Sequence, residues 1–427
     1  MKNYKKCLLL CAIFLCFPNL SFSLALEQKN NFLVITDIHL NLASRHTMDI
    51  TPTKPSIEND LDFLSFNKII TRISKNIKNG NISRPNFILI LGDLVGHVRT
   101  NTQQVIETEA LVFNELKNNF PQIPIFYVFG NNDSLASNYG PFRTNNTSEI
   151  HKSPYEIAQF KGGWKNGFLS NGVICQANKA NFPCILHMKK EQGYYAAYLA
   201  PKLRFIALNS VIFSKNRQQV SEQDSLEQLQ WLKAELKAVQ SSRESVLLAM
   251  HIPPGRNVYD DSLFWLPKEQ SIFLKTIAKY QSNILGLLVA HTHAEELKLI
   301  QNSSHTILTG VYFTAALSTS HGNSPSVKTF YFDNNRMSPW QLKNFEAFHF
   351  YTGDNSQLLF NKLYDYKSYY CDNDENYTSL SECLKNVTAE KMKKYFTAGN
   401  KNYSSNMKFP NDIFITLDPV EKKYNEF

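Results

Sequence analysis

The chain has 427 residues, 43% hydrophobic and 19% charged, a composition that suits a folded protein and excludes a disordered, collagen-like or coiled-coil chain. At that length two domains at most are expected, and no internal repeat divides the sequence. The formal charge of +8 comes without clustered Lys/Arg interleaved with aromatics, so duplex nucleic acid is not an expected partner.

At the N-terminus Lys2, Lys5 and Lys6 precede an apolar run from Leu8 to Phe17 that is short for a bilayer span. Residues 1–25 read as a signal peptide cut after Ala25, with Ser23 nearly as good, and an uncleaved anchor as the alternative. The expected location is therefore secreted, periplasmic or extracellular. The leader takes three lysines and no acid, which leaves about +5 on the remainder, a modest excess that suits an anionic substrate. Cys7, Cys11 and Cys16 leave with it. The other four, Cys175, Cys184, Cys371 and Cys383, favour disulfides over metal binding in an exported chain, since none has CxxC spacing. Four cysteines allow three connectivities, among which the sequence alone does not choose; the close pairs Cys175 with Cys184 and Cys371 with Cys383 are favoured.

Short β-branched runs then alternate with longer amphipathic stretches. Strands are expected at Asn31–Thr36, Phe87–Leu91, Ile123–Phe129, Leu203–Leu208, Val246–Met250 and Ile284–Ala290. Helices are expected at Leu61–Lys78, Gln103–Asn119, Asp224–Val239 and Lys268–Tyr280, which makes the body a layered α/β fold. From about Phe345 the pattern changes to Tyr, Asn and Lys with helical fragments. The expected organisation is a catalytic domain over 26–344 followed by a small, mainly helical accessory domain over 345–427.

Five of these strands end in side chains that hold metals. They give Asp37 and His39, then Gly92-Asp93, Gly130-Asn131-Asn132-Asp133, His251, and His291-Thr292-His293. Ligands at the carboxyl ends of neighbouring strands converge in space although they are scattered in sequence, and one carboxylate can then bridge two ions. Singly each motif is weak, because a histidine after a strand is more often structural. Together they are not, since buried carboxylates and imidazoles are costly to assemble without a cation.

The ordered series resembles the calcineurin-like metallophosphoesterase superfamily over roughly Phe32 to Phe332. Further segments resemble its acid-sphingomyelinase-like phosphodiesterase branch: Gly92-Asp93-Leu94-Val95-Gly96-His97, Gly193-Tyr194-Tyr195 leading into Arg204 to Asn209, Gln230-Trp231-Leu232, and His251-Ile252-Pro253. The resemblance implies a four-layer αββα sandwich. It also implies two divalent metal ions, one held by Asp37, His39, Asp93 and His293 and the other by Asp93, Asn131, His251 and His291. Zinc is typical of this branch, with manganese or iron elsewhere, and the mixed N/O ligands accept all three. Two such ions about 3.5 to 4 Å apart would lower the pKa of a bridging water, whose hydroxide attacks phosphorus in line. His97 would point a donor at a phosphate oxygen; its plainer reading is a structural histidine.

Departures from the family pattern are informative. Asn132 stands where the motif has histidine, and an amide hydrogen-bonds phosphate but delivers no proton near neutral pH. Asp133, which the family pattern pairs with that histidine, is expected to have lost its partner. Ala290 replaces the usual glycine before the His-x-His pair, tolerable if its φ is negative. His321, in a Ser318–Pro325 segment resembling a substrate-lining loop, is the expected alternative proton source together with His97.

Acid sphingomyelinases proper carry a saposin-like domain ahead of the catalytic body, whereas about half a dozen residues separate the expected cleavage point from the first strand. The resemblance leans toward soluble phosphodiesters or nucleotide phosphates, with a choline-type diester or membrane lipid as the other partners to consider. The expected function is a secreted metal-dependent hydrolase of phosphate esters. A phosphomonoesterase, and a catalytically weak effector that keeps its metals to capture a phosphorylated ligand, are the alternatives.

Overall fold

The computed structural model describes residues 30–42, 60–145, 150–176, 181–333, 339–353, 357–371, 377, 379–400 and 413–417. The expected signal peptide lies outside them. The chain begins with β1 (Asn31–Ile35), α1 (Phe63–Lys78), β2 (Phe87–Ile90), α2 (Thr102–Asn119), β3 (Ile125–Tyr127) and α3 (Pro154–Phe160). There follow β4 (Val173–Ile174), β5 (Cys184–Lys189), β6 (Tyr194–Ala200), β7 (Leu203–Ala207), α4 (Glu222–Ser241), β8 (Ser245–Ala249), α5 (Pro267–Tyr280) and β9 (Ile284–Val289). The last stretch holds β10 (Leu297–Gln301), β11 (Ile307–Phe313), β12 (Ser326–Asp333), β13 (Gln341–Thr352), β14 (Leu358–Asp365), α6 (Tyr366–Tyr370), α7 (Ala389–Lys393) and β15 (Phe414–Thr416).

These strands make two sheets. One has six strands in the order β14-β13-β12-β1-β2-β3, the other nine in the order β15-β10-β11-β9-β8-β7-β6-β5-β4. Within them β1, β2 and β3 run parallel, as do β7, β8 and β9. Their side chains meet in one continuous core: the Phe126 ring of β3 lies 5.2 Å from Phe205 of β7, and Tyr312 of β11 lies 6.0 Å from Phe330 of β12. The α/β sandwich is thus two sheets face to face, with helices following the parallel strands of each.

Local signals explain the helices. In α1 the buried Phe66, Ile69, Ile70, Ile73 and Ile77 repeat at three- and four-residue spacing, and the Asp62 side chain caps the first turn by accepting from the Ser65 N–H. Burying each of those side chains contributes about 1.5–3 kcal/mol, so a charge at Ile70, on the buried stripe, would undo the docking. In α4 a reciprocal Ser221/Asp224 capping box sets the start at Glu222, two residues before the expected Asp224.

The C-terminal segment differs from expectation. β13 extends the six-stranded sheet by antiparallel pairing with β12 and β14 by antiparallel pairing with β13, and a boundary at 344/345 would fall inside β13. Leu342, Phe345, Ala347, Phe348 and Phe350 are buried, and the short helices that follow place Tyr366, Tyr370, Leu384 and Met392 in the same core. The mainly helical accessory domain is therefore corrected to a strand-bearing extension of the body. The aromatic residues that blurred the helical pattern are those that fit a pleated, half-buried surface. Cys175 pairs with Cys184 and Cys371 with Cys383. Among the described residues no helix is long and apolar enough to cross a membrane.

Candidate metal centre

All seven expected ligands sit just beyond the carboxyl ends of parallel strands. Asp37 and His39 follow β1, Asp93 follows β2, Asn131 follows β3, His251 follows β8, and His291 and His293 follow β9. Three of these strands belong to one sheet and two to the other, so the centre lies where the sheets converge. The Nδ1 of His251 hydrogen-bonds the Leu91 carbonyl at 2.6 Å, a strut from the nine-stranded sheet to the six-stranded one.

Backbone geometry at the expected ligands is unusual. Asp37, His39, Asp93, His291 and His293 all have positive φ, at 46°, 44°, 54°, 77° and 62°. Asp and His tolerate this region better than most residues, and clustering of such strain marks functional sites. Ala290 is not among the positive-φ residues, so its methyl is accommodated. Gly130 has to be glycine: a Cβ there would lie 2.2 Å from the Asp93 nitrogen, which lets the two loops abut.

Around Asp93 the side chains form two groups. On one side the Nε2 of His39 lies 3.5 Å from Asp93 Oδ2, 3.8 Å from Asp37 Oδ1 and 3.0 Å from His293 Nε2. On the other the Nε2 of His251 lies 3.3 Å from Asp93 Oδ2, and ligand atoms of Asp93, His251 and His291 gather within 4.8 Å. His39 turns Nδ1 to the Val95 carbonyl at 3.1 Å, so Nε2 is the nitrogen that faces the centre. Several atoms here are buried without a hydrogen-bond partner, among them Asp37 Oδ1, Asn131 Oδ1 and His251 Nε2. Orphaned oxygens and ring nitrogens converging on one carboxylate are the donor set of a divalent metal, and the residues fit a pair of ions sharing Asp93.

Electrostatics agree with a site built for positive charge. Burial opposes protonation of His39 and His251, yet the adjacent carboxylates outweigh it: Asp37 and Asp93 lift His39 to about 9, and Asp93 and Asp37 lift His251 to about 9. Burial drives His291 down to about 3, helped by His251, and His293 well below its ordinary value. Asp93 is held well below the carboxylate range because His251 and His39 overcome its burial.

The structure brings the expected His97, Asn132 and His321 to the same place. The His97 ring stacks on His39 with centroids 4.0 Å apart, and His321 lies 4.0 Å from His293 and 5.5 Å from His97. Burial, then the nearby His97 and His39, push His321 down to about 3. Asn132 is buried and directed at the carboxylate, its Nδ2 donating to Asp93 Oδ2 at 2.9 Å.

Among the described residues Asp133 has no histidine partner, and other groups take up its carboxylate. It accepts from the backbone N–H groups of Asp93 (3.1 Å), Leu94 (2.7 Å) and Gly130 (2.9 Å) and from the Tyr127 hydroxyl (2.8 Å). It ties the loop of Asp93 to the loop of Asn131 without help from a histidine. Burial and the charge of Asp93 push it up to about 6 against those donors.

Sequence reasoning missed several supporting residues. Asp60 accepts from the His97 backbone N–H at 2.6 Å and holds its Nδ1 at 2.8 Å. Arg99 donates to the Asn132 and Ser134 carbonyls, and the Tyr259 hydroxyl to the Thr292 carbonyl between the two histidines at 2.7 Å. None of them ends an apolar run, so periodicity gave no signal for them.

The calcineurin-like phosphoesterase family pattern matches residues 31–295, the stretch that carries all five strands β1, β2, β3, β8 and β9 and the seven expected ligands that follow them. Among curated proteins the chain is 25% identical over 251 residues to sphingomyelinase phosphodiesterase C of Dictyostelium discoideum, covering 58% of this chain and 51% of that one. It is 22% identical over 294 residues to sphingomyelinase phosphodiesterase D of the same organism, covering 67% and 62%. It is 24% identical over 359 residues to the cyclic GMP-AMP phosphodiesterase SMPDL3A of Rattus norvegicus, covering 77% and 74%. The match thus spans about half the length of the first of these relatives. With the family pattern running from β1 to the residues just after His293, the chain belongs to the calcineurin-like phosphoesterase family.

Proposed function

We propose that the protein is an exported dinuclear-metal hydrolase of phosphate esters that acts on small phosphodiesters. The observation that carries this reading is Asp93, whose carboxylate lies between the His39/Asp37/His293 group and the His251/His291 group. When bound, the two ions would polarise the phosphoryl oxygens and supply an activated water. Zinc is the preferred metal, on the nitrogen-rich donor set.

The chain's own residues hold and orient. Asp37, His39, Asp93 and His293 form one metal position; Asp93, Asn131, His251 and His291 form the other. His97, fixed through Nδ1 by Asp60, keeps Nε2 free for a phosphate oxygen or for the leaving oxygen. His321 stands beside it as a second polar contact. Asn132 orients Asp93 and delivers no proton, so the leaving-group step falls to His97, or departs unaided from good leaving groups.

The substrate class follows from the relatives, which are named for sphingomyelin and cyclic GMP-AMP phosphodiester cleavage. A nucleotide or choline-type diester is the favoured substrate, and the paired cysteines support export. The test combines metal analysis with turnover of bis(p-nitrophenyl) phosphate and p-nitrophenyl phosphate. Two ions per chain, preference for the diester and loss of turnover in Asp93→Asn are expected. Preference for the monoester would make it a phosphatase, and bound metal without turnover of either would sink the enzymatic reading.

A further inference from the structure

The geometry points to Asn138 and Tyr139 as positioning residues that govern the second metal position, that of Asp93, Asn131, His251 and His291, without governing the first. This rests on the dinuclear reading proposed above. An asparagine ligates a cation only through its oxygen, so Asn131 has to present Oδ1 and turn its NH2 away. Asn138 does this: its Oδ1 accepts from Asn131 Nδ2 at 2.8 Å, and Asn131 Oδ1 is left buried with no hydrogen-bond partner.

Tyr139 holds the same half from two directions. Its N–H donates to the Asn131 carbonyl at 2.9 Å, and its hydroxyl comes within 3.4 Å of His291 Nε2, with the two rings nearly perpendicular. To do so it adopts φ of 58°, costly for a bulky side chain, and the Gln218 N–H secures that backbone by donating to the Tyr139 carbonyl at 2.9 Å. Two consecutive residues thus grip one ligand from β3 and one from β9. The hydrogen bonds and ring contacts found for Asp37, His39 and His293 include neither of them. Asn138 and Tyr139 are therefore placed to set the second ion's affinity separately from the first's.

The experiment is titration of metal-stripped protein with Zn2+, read by calorimetry and by elemental analysis after desalting, on wild type, Asn138→Leu, Asn138→Asp and Tyr139→Phe. Wild type is expected to take two ions. Asn138→Leu should keep the first and bind the second about 10- to 100-fold more weakly, the usual loss when a ligand's outer partner is removed. Asn138→Asp keeps the acceptor and should retain two, whereas Tyr139→Phe should weaken the second by about three- to fivefold, one modest hydrogen bond. Unchanged affinities in Asn138→Leu, equal weakening of both ions, or failure of Asn138→Asp to retain the second would overturn the inference. Should Asn138→Leu not fold by circular dichroism, an unchanged second affinity in Tyr139→Phe overturns it instead. Wild type that saturates below two ions would refute the dinuclear reading itself.

Discussion

Asn132 grips both oxygens of Asp93: its backbone N–H donates to Oδ1 at 2.8 Å and its side-chain Nδ2 to Oδ2 at 2.9 Å. The residue that replaces a proton donor has thus become a clamp on the shared carboxylate. Because an amide supplies no proton, alkyl esters should turn over far more slowly than activated aryl esters. Asn132→His is expected to raise kcat/KM for an alkyl phosphodiester relative to bis(p-nitrophenyl) phosphate by about 10- to 100-fold. An unchanged ratio in a folded, metal-loaded variant would mean that the missing acid is not what limits poor leaving groups.

Asp133 carries the loops that Asn132 and Asp93 stand on. Its four donors, three of them backbone N–H groups, are buried, and removing the carboxylate orphans all four. Asp133→Ala should cost about 2–4 kcal/mol of stability, on the scale of several buried donors left unsatisfied with partial relaxation. Thermal melts of the metal-free protein measure this without reference to activity. A loss below about 0.5 kcal/mol, typical of a surface change, would refute the structural role.

This contrast marks what the sequence could and could not tell. The ligand series was legible because each member ends an apolar run, and parallel strands carry such ends to one place. The partners that hold Asp133 could not be read, because three of the four are backbone N–H groups, which have no sequence signature. Asp60 was invisible for a related reason: it lies outside any strand and meets His97 only through the fold. The C-terminal strands were missed because β13 and β14 have few β-branched residues and draw on Phe, Tyr and Leu in a segment dense with Asn and Lys.

The Asp60–His97 pair yields a third prediction. If His97 serves the leaving group and Asp60 serves His97, the two should act as a unit. His97→Ala is expected to lower kcat for an alkyl diester by about 10²-fold, and Asp60→Asn by about tenfold. In the His97→Ala background, Asp60→Asn should then add little, because the group it orients is gone. Fully additive losses in kcat would separate the two residues, and unchanged turnover in both His97→Ala and His321→Ala would remove either histidine from the leaving-group step.

The metal-free protein should respond to pH in a direction set by His39 and His251. Both imidazoles are lifted to about 9 by the carboxylates of Asp37 and Asp93 in spite of burial. A pKa raised on folding gives stabilisation that is complete below the ordinary histidine value of about 6.5 and is lost as pH rises through the folded value. Stripped protein should therefore melt at progressively lower temperature from about pH 7 to pH 9.5, as Asp37 and Asp93 lose their buried countercharge. Zinc supplies that charge instead, so the loaded protein should show a much flatter profile over the same window. Zinc affinity should rise across it too, because fewer protons compete for the two ring nitrogens. A stripped protein that grows more stable over this range would show that His39 and His251 are not the protonated partners of the two aspartates.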